Sequence, residues 1–176
     1  MSFTDREFWT VIHGMGFGAI FLLAFAGGLA GLWSFRPEYV TIAGLHERLR
    51  RLLAGTWIMA IVAWLTVISG TYKAYPWYRA NPPEGADLSD FPRSRLLADE
   101  TTAAWHHFGM EWKEHVAWLA PILATAVAFV VMRYGLALAE QPAVRRACMV
   151  LFVLSFVAAA IAGVFGAFIT KTVPIL

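Results

Sequence analysis

The chain has 176 residues, of which 59% are hydrophobic and 15% are charged, and its formal net charge is +2. Such an apolar composition excludes an ordinary soluble domain and indicates an integral membrane protein. The small net charge, without a run of basic residues, gives no indication of nucleic-acid binding. The single cysteine, Cys148, excludes an intrachain disulfide and a haem attached through a C-x-x-C-H motif.

Four apolar segments are long enough to cross a bilayer, which takes about 20 helical residues. They cover about residues 8–35, 52–72, 105–133 and 147–170. The third begins with the polar motif WHHFGMEWKEH, whereas the other three contain no Asp, Glu, Lys or Arg. The first is too long for a signal peptide, and we expect it to be retained. We therefore predict an all-α fold, a four-helix membrane bundle forming one domain over residues 1–176.

The charges of the connections predict the orientation. Residues 36–51 carry four arginines against two glutamates, and residues 133–146 carry three arginines against one glutamate. The positive-inside rule places both connections in the cytoplasm. Both termini and the long outer loop, residues 73–104, then face the other side, which is the periplasm if the protein lies in a bacterial inner membrane. Asp99 or Thr101 is expected to cap a helix that runs into the third span.

The first span carries an isolated histidine in the sequence HGMGFG. His13 has no acidic or basic neighbour on its own helix, and an ionisable group inside a span usually faces a partner or a cofactor. Gly14 and Gly18 allow a flat ring or another helix to approach. Further along this span, Gly27 and Gly31 form a small-x-x-x-small pair that is expected to serve helix packing.

The third span supplies a second histidine at a similar depth, His115. A haem b iron held between His13 and His115 would satisfy both imidazoles and bury an apolar ring between two helices. Arg79 is among the outer-side groups that could hold the haem propionates. His106 and His107 are alternative ligands to His115, and Glu111 could accept a hydrogen bond from it. His46 is expected in water or among lipid headgroups.

The same motif supports a second interpretation. On a helix, His107, Glu111 and His115 share one face, so they could hold copper, zinc or non-haem iron without a haem. A third interpretation is a structural subunit of a larger complex that carries no cofactor.

The overall plan, with His13 and His115 on separate helices, resembles the small b-type cytochrome subunits of respiratory complexes. The resemblance implies one haem b near the outer surface, with electrons passing between a quinone pool or partner subunit and a periplasmic redox partner. It departs from two-haem cytochromes of the b561 type, because only His46 lies on the inner side. We find no catalytic constellation, so an electron-transfer role is favoured over an enzymatic one.

Overall fold

The computed structural model describes residues 4–39 and 41–173, is 89% helical, and has no strand in that part of the chain. Four helices are long and apolar enough to cross a membrane: α1 (Asp5–Ser34), α2 (Ala43–Tyr78), α4 (Glu100–Glu140) and α5 (Pro142–Thr172). A short helix, α3 (Pro92–Leu97), lies in the connection between α2 and α4. The prediction of an all-helical fold with four helices long and apolar enough to cross a membrane is confirmed. The bundle arrangement, the single domain and the side on which the termini lie stay predictions.

The helices on both sides of the predicted outer loop extend into it, because they are longer than their apolar cores. Helix α2 continues to Tyr78 and α4 begins at Glu100, so the connection covers residues 79–99 and contains α3. Asp99 is the N-cap of α4, and its Oδ1 accepts a hydrogen bond of 2.8 Å from the backbone N–H of Thr101. This confirms the capping prediction, with Asp99 as the residue that caps.

Three of the long helices contain a π-helical turn. The turns are Ile12–Gly16 in α1, Gly70–Ala74 in α2 and Trp105–Met110 in α4. A π turn contains about one residue more than an α turn and is common at functional sites. The turn in α2 is followed directly by Tyr75–Tyr78, which contains Pro76. Because Pro76 has no N–H to donate, a locally altered hydrogen-bond ladder allows the helix to continue past it.

The chain divides into two compact units. Unit 1 contains Met1–Gly18, Leu65–Trp118 and Ala159–Leu176, and unit 2 contains Ala19–Trp64 and Leu119–Ala158. All three π turns fall in unit 1, as do the candidate residues His13, His106, His107 and His115. The candidate functional residues therefore belong to unit 1.

Unit 2 is held together by aromatic rings packed against glycine. Phe25 stacks on Phe156 with their ring centroids 4.1 Å apart, and the ring of Phe152 fits against Gly28. The sequence predicted that Gly27 and Gly31 both serve helix packing, and only one of them does. Gly31 lies against Leu52, but no atom outside its own helix comes within 4 Å of a Cβ built on Gly27, and Gly28 provides the close contact instead.

Unit 1 has an apolar cluster that fixes the connection between α2 and α4. Its buried members are Tyr78, Leu96, Met110, Ile169 and Val173. Leu96 of α3 is fully buried in this cluster, together with residues of α2, α4 and α5. Burial of a leucine side chain stabilises by about 1.5–3 kcal/mol. The cluster therefore holds the end of α2 and the start of α4 in a fixed position beside the polar residues described next.

Candidate functional site

His13 lies in the π turn of α1 and is oriented by α2. Its Nδ1 is 2.9 Å from Ser69 Oγ, and the Ser69 hydroxyl itself donates to the carbonyl oxygen of Thr66 over 3.0 Å. Because the hydroxyl hydrogen is used there, we assign the His13 Nδ1–H as donor to Ser69 Oγ, so that Nε2 is the ring nitrogen that carries a lone pair. Gly70 makes room for the ring, since a Cβ at that position would lie 2.9 Å from the imidazole Cε1.

Lys113 is the residue of α4 whose charge acts on His13. It is partly buried, and its ammonium group packs against Gly166 of α5. No hydrogen bond or ion pair of this ammonium group occurs among residues 4–39 and 41–173. Successive residues of an α-helix are rotated by about 100°, so Lys113 and His115 point to nearly opposite sides of α4. Among the described residues, no hydrogen bond, ion pair or ring contact joins His115 to His13.

Glu114 is held by two residues of the α2 end. Arg79 Nη2 donates to both carboxylate oxygens, at 3.2 and 2.9 Å, and the Tyr75 hydroxyl donates to Oε2 at 3.1 Å. The side chains of Arg79 and Glu114 are only 32% and 15% exposed. Partial burial works to lower the pKa of Arg79, but the hydrogen bond and the negative charge of Glu114 outweigh it, and the pKa lies above its usual value. Arg79 thus remains a cation that fixes the Glu114 carboxylate.

Glu111 and His115 lie beside Glu114 on the same face of α4. His115 Nδ1 is 3.0 Å from the carbonyl oxygen of Glu111 and 3.4 Å from its Oε2. One ligand atom from each of Glu111, Glu114 and His115 lies within 4.8 Å of the others. The spacing i, i+3, i+4 explains why one helix can bring the three groups together. The side chain of His115 is 70% exposed, so this cluster opens to its surroundings.

The other two histidines of the motif are separated from this cluster. His106 is buried, and its Nδ1 is 2.8 Å from the hydroxyl oxygen of Tyr78. His107 is exposed and is not among the three clustered ligands. The π turn that contains both residues shifts the register between them and Glu111, so the predicted face of His107, Glu111 and His115 is not assembled as such. Glu114 takes the place that was predicted for His107.

The flank of α1 beside His13 is open within the described residues. No atom outside this helix comes within 4 Å of a Cβ built on Gly14 or on Gly18. The flank therefore has room for a flat group, which is the role predicted for these glycines. Arg79, predicted to hold propionates, instead pairs with Glu114.

Sequence reasoning missed Lys113, Ser69 and the pairing of Glu114 with Arg79. A lysine between two glutamates looks like part of a water-exposed stretch, and only the rotation of α4 shows that it turns inwards. The i, i+4 spacing of Tyr75 and Arg79 was a usable signal, because it puts a hydroxyl and a guanidinium on one face at the end of α2.

Comparisons with protein-family models, with curated proteins and with solved structures give no match for this chain.

Proposed function

We propose that this protein is a multi-pass membrane protein that binds one divalent transition-metal ion through Glu111, Glu114 and His115. The observation that carries the proposal is the convergence of these three donors within 4.8 Å. Two carboxylates and one imidazole suit zinc, ferrous iron or manganese, which accept mixed oxygen and nitrogen ligands. Water would complete the coordination, since three protein ligands leave a position open.

Tyr75 and Arg79 support this proposal because they orient one of the ligands. Carboxylates that bind metals are themselves usually hydrogen-bonded, and these outer partners fix the ligand geometry. Glu114 accepts from both residues, yet a carboxylate has about four lone-pair positions, so it can still coordinate a cation. The nearby Arg79 charge lowers affinity for the ion, which favours moderate rather than very tight binding.

The exposure of the cluster favours an exchangeable ion. With 70% of the His115 side chain and 46% of the Glu111 side chain exposed, an ion can enter and leave without opening the fold. We therefore propose a role in metal uptake or delivery at a membrane surface. On the charge distribution of the connections, the cluster faces the side away from the cytoplasm, in a bacterial inner membrane the periplasm.

The test is zinc titration of the purified, metal-stripped protein by calorimetry. We expect one ion per chain, and a dissociation constant at least about tenfold higher in Glu111→Gln and in His115→Ala. His107→Ala is the matched control, because His107 is an exposed histidine of the same motif. Absence of a stoichiometric site, or an equal loss in His107→Ala and His115→Ala, would refute the proposal.

A haem b electron-transfer subunit is the second candidate, and a separate observation favours it. His13 donates from Nδ1 and keeps its Nε2 lone pair, and the Gly14 and Gly18 flank beside it is open. Anchoring one ring nitrogen is how proteins orient a metal-binding imidazole. In this proposal His13 supplies one axial ligand, and the haem carries electrons between a quinone or partner subunit and a periplasmic redox partner. His115 remains the proposed second ligand, but it would have to leave Glu111 and α4 would have to rotate, because Lys113 and His115 point to nearly opposite sides of α4.

An absorption spectrum of the protein purified from cells supplied with haem separates the two candidates. Sharp visible bands on reduction, lost in His13→Ala and kept in His46→Ala, support the haem. Metal in elemental analysis without those bands supports the ion site. A protein with neither is a structural subunit without a cofactor.

A further inference from the structure

A cavity of about 120 Å³ lies in unit 1 between the beginning of α1 and the end of α2. It is separate from the cluster of Glu111, Glu114 and His115, and none of those residues lines it. Its walls are formed by Asp5, Arg6, Trp9, Thr10, Lys73, Ala74 and Trp77. A cavity of this size has room for a small group rather than for a whole cofactor.

Two cations and two indole rings line this cavity, and each cation lies over one of the rings. The guanidinium of Arg6 lies 4.7 Å from the ring centroid of Trp77, and the ammonium of Lys73 lies 4.9 Å from that of Trp9. Cation–π contacts of this kind hold a charged group in place while leaving its outward donors available. Arg6 also makes a long ion pair of 3.9 Å with Asp90, whose side chain is 63% exposed, so this pair is weak.

The charges of the wall favour an anion. Among the lining residues, Arg6 and Lys73 face one carboxylate, that of Asp5, so the wall carries an excess of one positive charge, and Asp90 offsets it only through its long ion pair with Arg6. The Thr10 hydroxyl donates to the carbonyl oxygen of Arg6, so it is already used. A singly charged group with several acceptor oxygens would match this wall.

We propose that the cavity binds the phosphate group of a membrane phospholipid. The residues lie at the ends of two membrane-spanning helices, where Trp rings sit at the level of the lipid headgroups. Arg and Lys are the usual partners of phosphate, Arg through its planar fork and Lys as a point charge. Long basic side chains at helix ends reach towards this layer. The same chemistry would accept inorganic phosphate, and the experiment separates the two sources.

The test uses the full chain in an uncharged detergent and measures lipid binding by native mass spectrometry. Phosphatidylglycerol should bind in a resolved one-to-one complex, and diacylglycerol, which lacks the phosphate, should bind at least about tenfold more weakly. The double variant Arg6→Gln/Lys73→Gln should lose the preference. Arg95→Gln is the matched control, because Arg95 is an exposed arginine of unit 1 outside the cavity.

Inorganic phosphate is added as a competitor in a second arm. If millimolar phosphate displaces the lipid, the cavity is a phosphate site whose ligand is free phosphate. If the lipid stays bound, the ligand is the phospholipid. Equal binding of diacylglycerol and phosphatidylglycerol, or an unchanged preference in a double variant with unaltered circular dichroism, would overturn the proposal. Zinc affinity should be the same in the double variant, so this outcome is independent of the proposed metal site.

Discussion

The ammonium nitrogen of Lys113 occupies the space that a side chain at position 166 would need, since a Cβ built on Gly166 would lie 2.7 Å from it. His13 and Gly70 show the same relationship at 2.9 Å. In unit 1, two inward-facing basic side chains therefore each rest against a glycine of a neighbouring helix. The absence of a side chain on α2 and α5 is what gives these polar groups room.

Glycine-to-alanine variants should lower the free energy of unfolding by amounts that depend on which side chain the new Cβ contacts. Gly28→Ala places a Cβ 2.7 Å from ring carbons of Phe152, and a stacked ring cannot easily move, so we expect a loss of about 1–3 kcal/mol in the free energy of unfolding. Gly166→Ala meets Lys113 Nζ at the same distance, but the flexible lysine can turn, so the loss should stay below about 1 kcal/mol. Denaturant unfolding in detergent measures both. Equal costs would mean that Lys113 is held rigidly.

Lys113→Met should leave stability unchanged or raise it. The substitution keeps an unbranched chain of similar length and removes a charge without a counter-ion among the described residues, and such replacements are neutral or stabilising. We expect the free energy of unfolding to stay within about 0.5 kcal/mol or to increase. Lys171→Met, at an exposed position of α5, is the control. A loss above about 2 kcal/mol would show that the ammonium group has an acceptor.

Arg79 and Glu114 should be energetically coupled. Because both side chains are less than one third exposed and share two hydrogen bonds, a double-mutant cycle with Arg79→Gln and Glu114→Gln should give about 1–3 kcal/mol of coupling. The pair Arg51 and Glu47 is the control, since its side chains are 78% and 44% exposed and its coupling should stay below about 0.5 kcal/mol. Similar coupling in both pairs would contradict the role given to burial.

The start of α4 should weaken in acid through Asp99. The side-chain and backbone hydrogen bonds from Thr101 hold the pKa of this carboxyl below its usual value. A lowered folded-state pKa means that the stabilisation is complete above the pKa of an unfolded aspartate, about 3.9, and is lost as the pH falls through the folded-state value. Hydrogen exchange of residues 100–104 should therefore be slower in wild type than in Asp99→Ala at pH 6, and the difference should shrink below about pH 4. If the exchange difference between wild type and Asp99→Ala persisted at pH 2, the stabilisation would not come from the ionised Asp99 carboxylate.

The four spans could be predicted because each is an apolar run long enough for a bilayer, and the Asp99 cap could be predicted from its residue type and its place before a helix. The residues at which the helices end could not be predicted in this way. Tyr75 to Tyr78 contain a proline and no aliphatic residue, yet they are helical, because their hydrogen bonds to Glu114 and His106 and the burial of Tyr78 compensate for weak helix propensity.

The candidate site was only partly predictable. The motif indicated that Glu111 and His115 belong together, which follows from i, i+4 spacing alone. It did not indicate that Lys113 turns inwards against Gly166 of α5, because a single helix gives relative angles and not the direction of its neighbours. A glutamate at the end of a span suggests nearby water, whereas Arg79 and Tyr75 hold Glu114 partly buried.

The π turns of α1, α2 and α4 set the helical phase of unit 1. An α-helix rotates by about 100° per residue, so deleting one residue from such a turn would restore an α turn and rotate one side of the helix by that angle relative to the other. In α4 the turn Trp105–Met110 separates His106, which faces Tyr78, from the face of Glu111, Glu114 and His115. The extra residue in this turn therefore sets which of the preceding side chains shares a face with that cluster. A single deletion there would rotate His106 and His107 relative to Glu111, Glu114 and His115, while these three would stay together through their i, i+3, i+4 spacing.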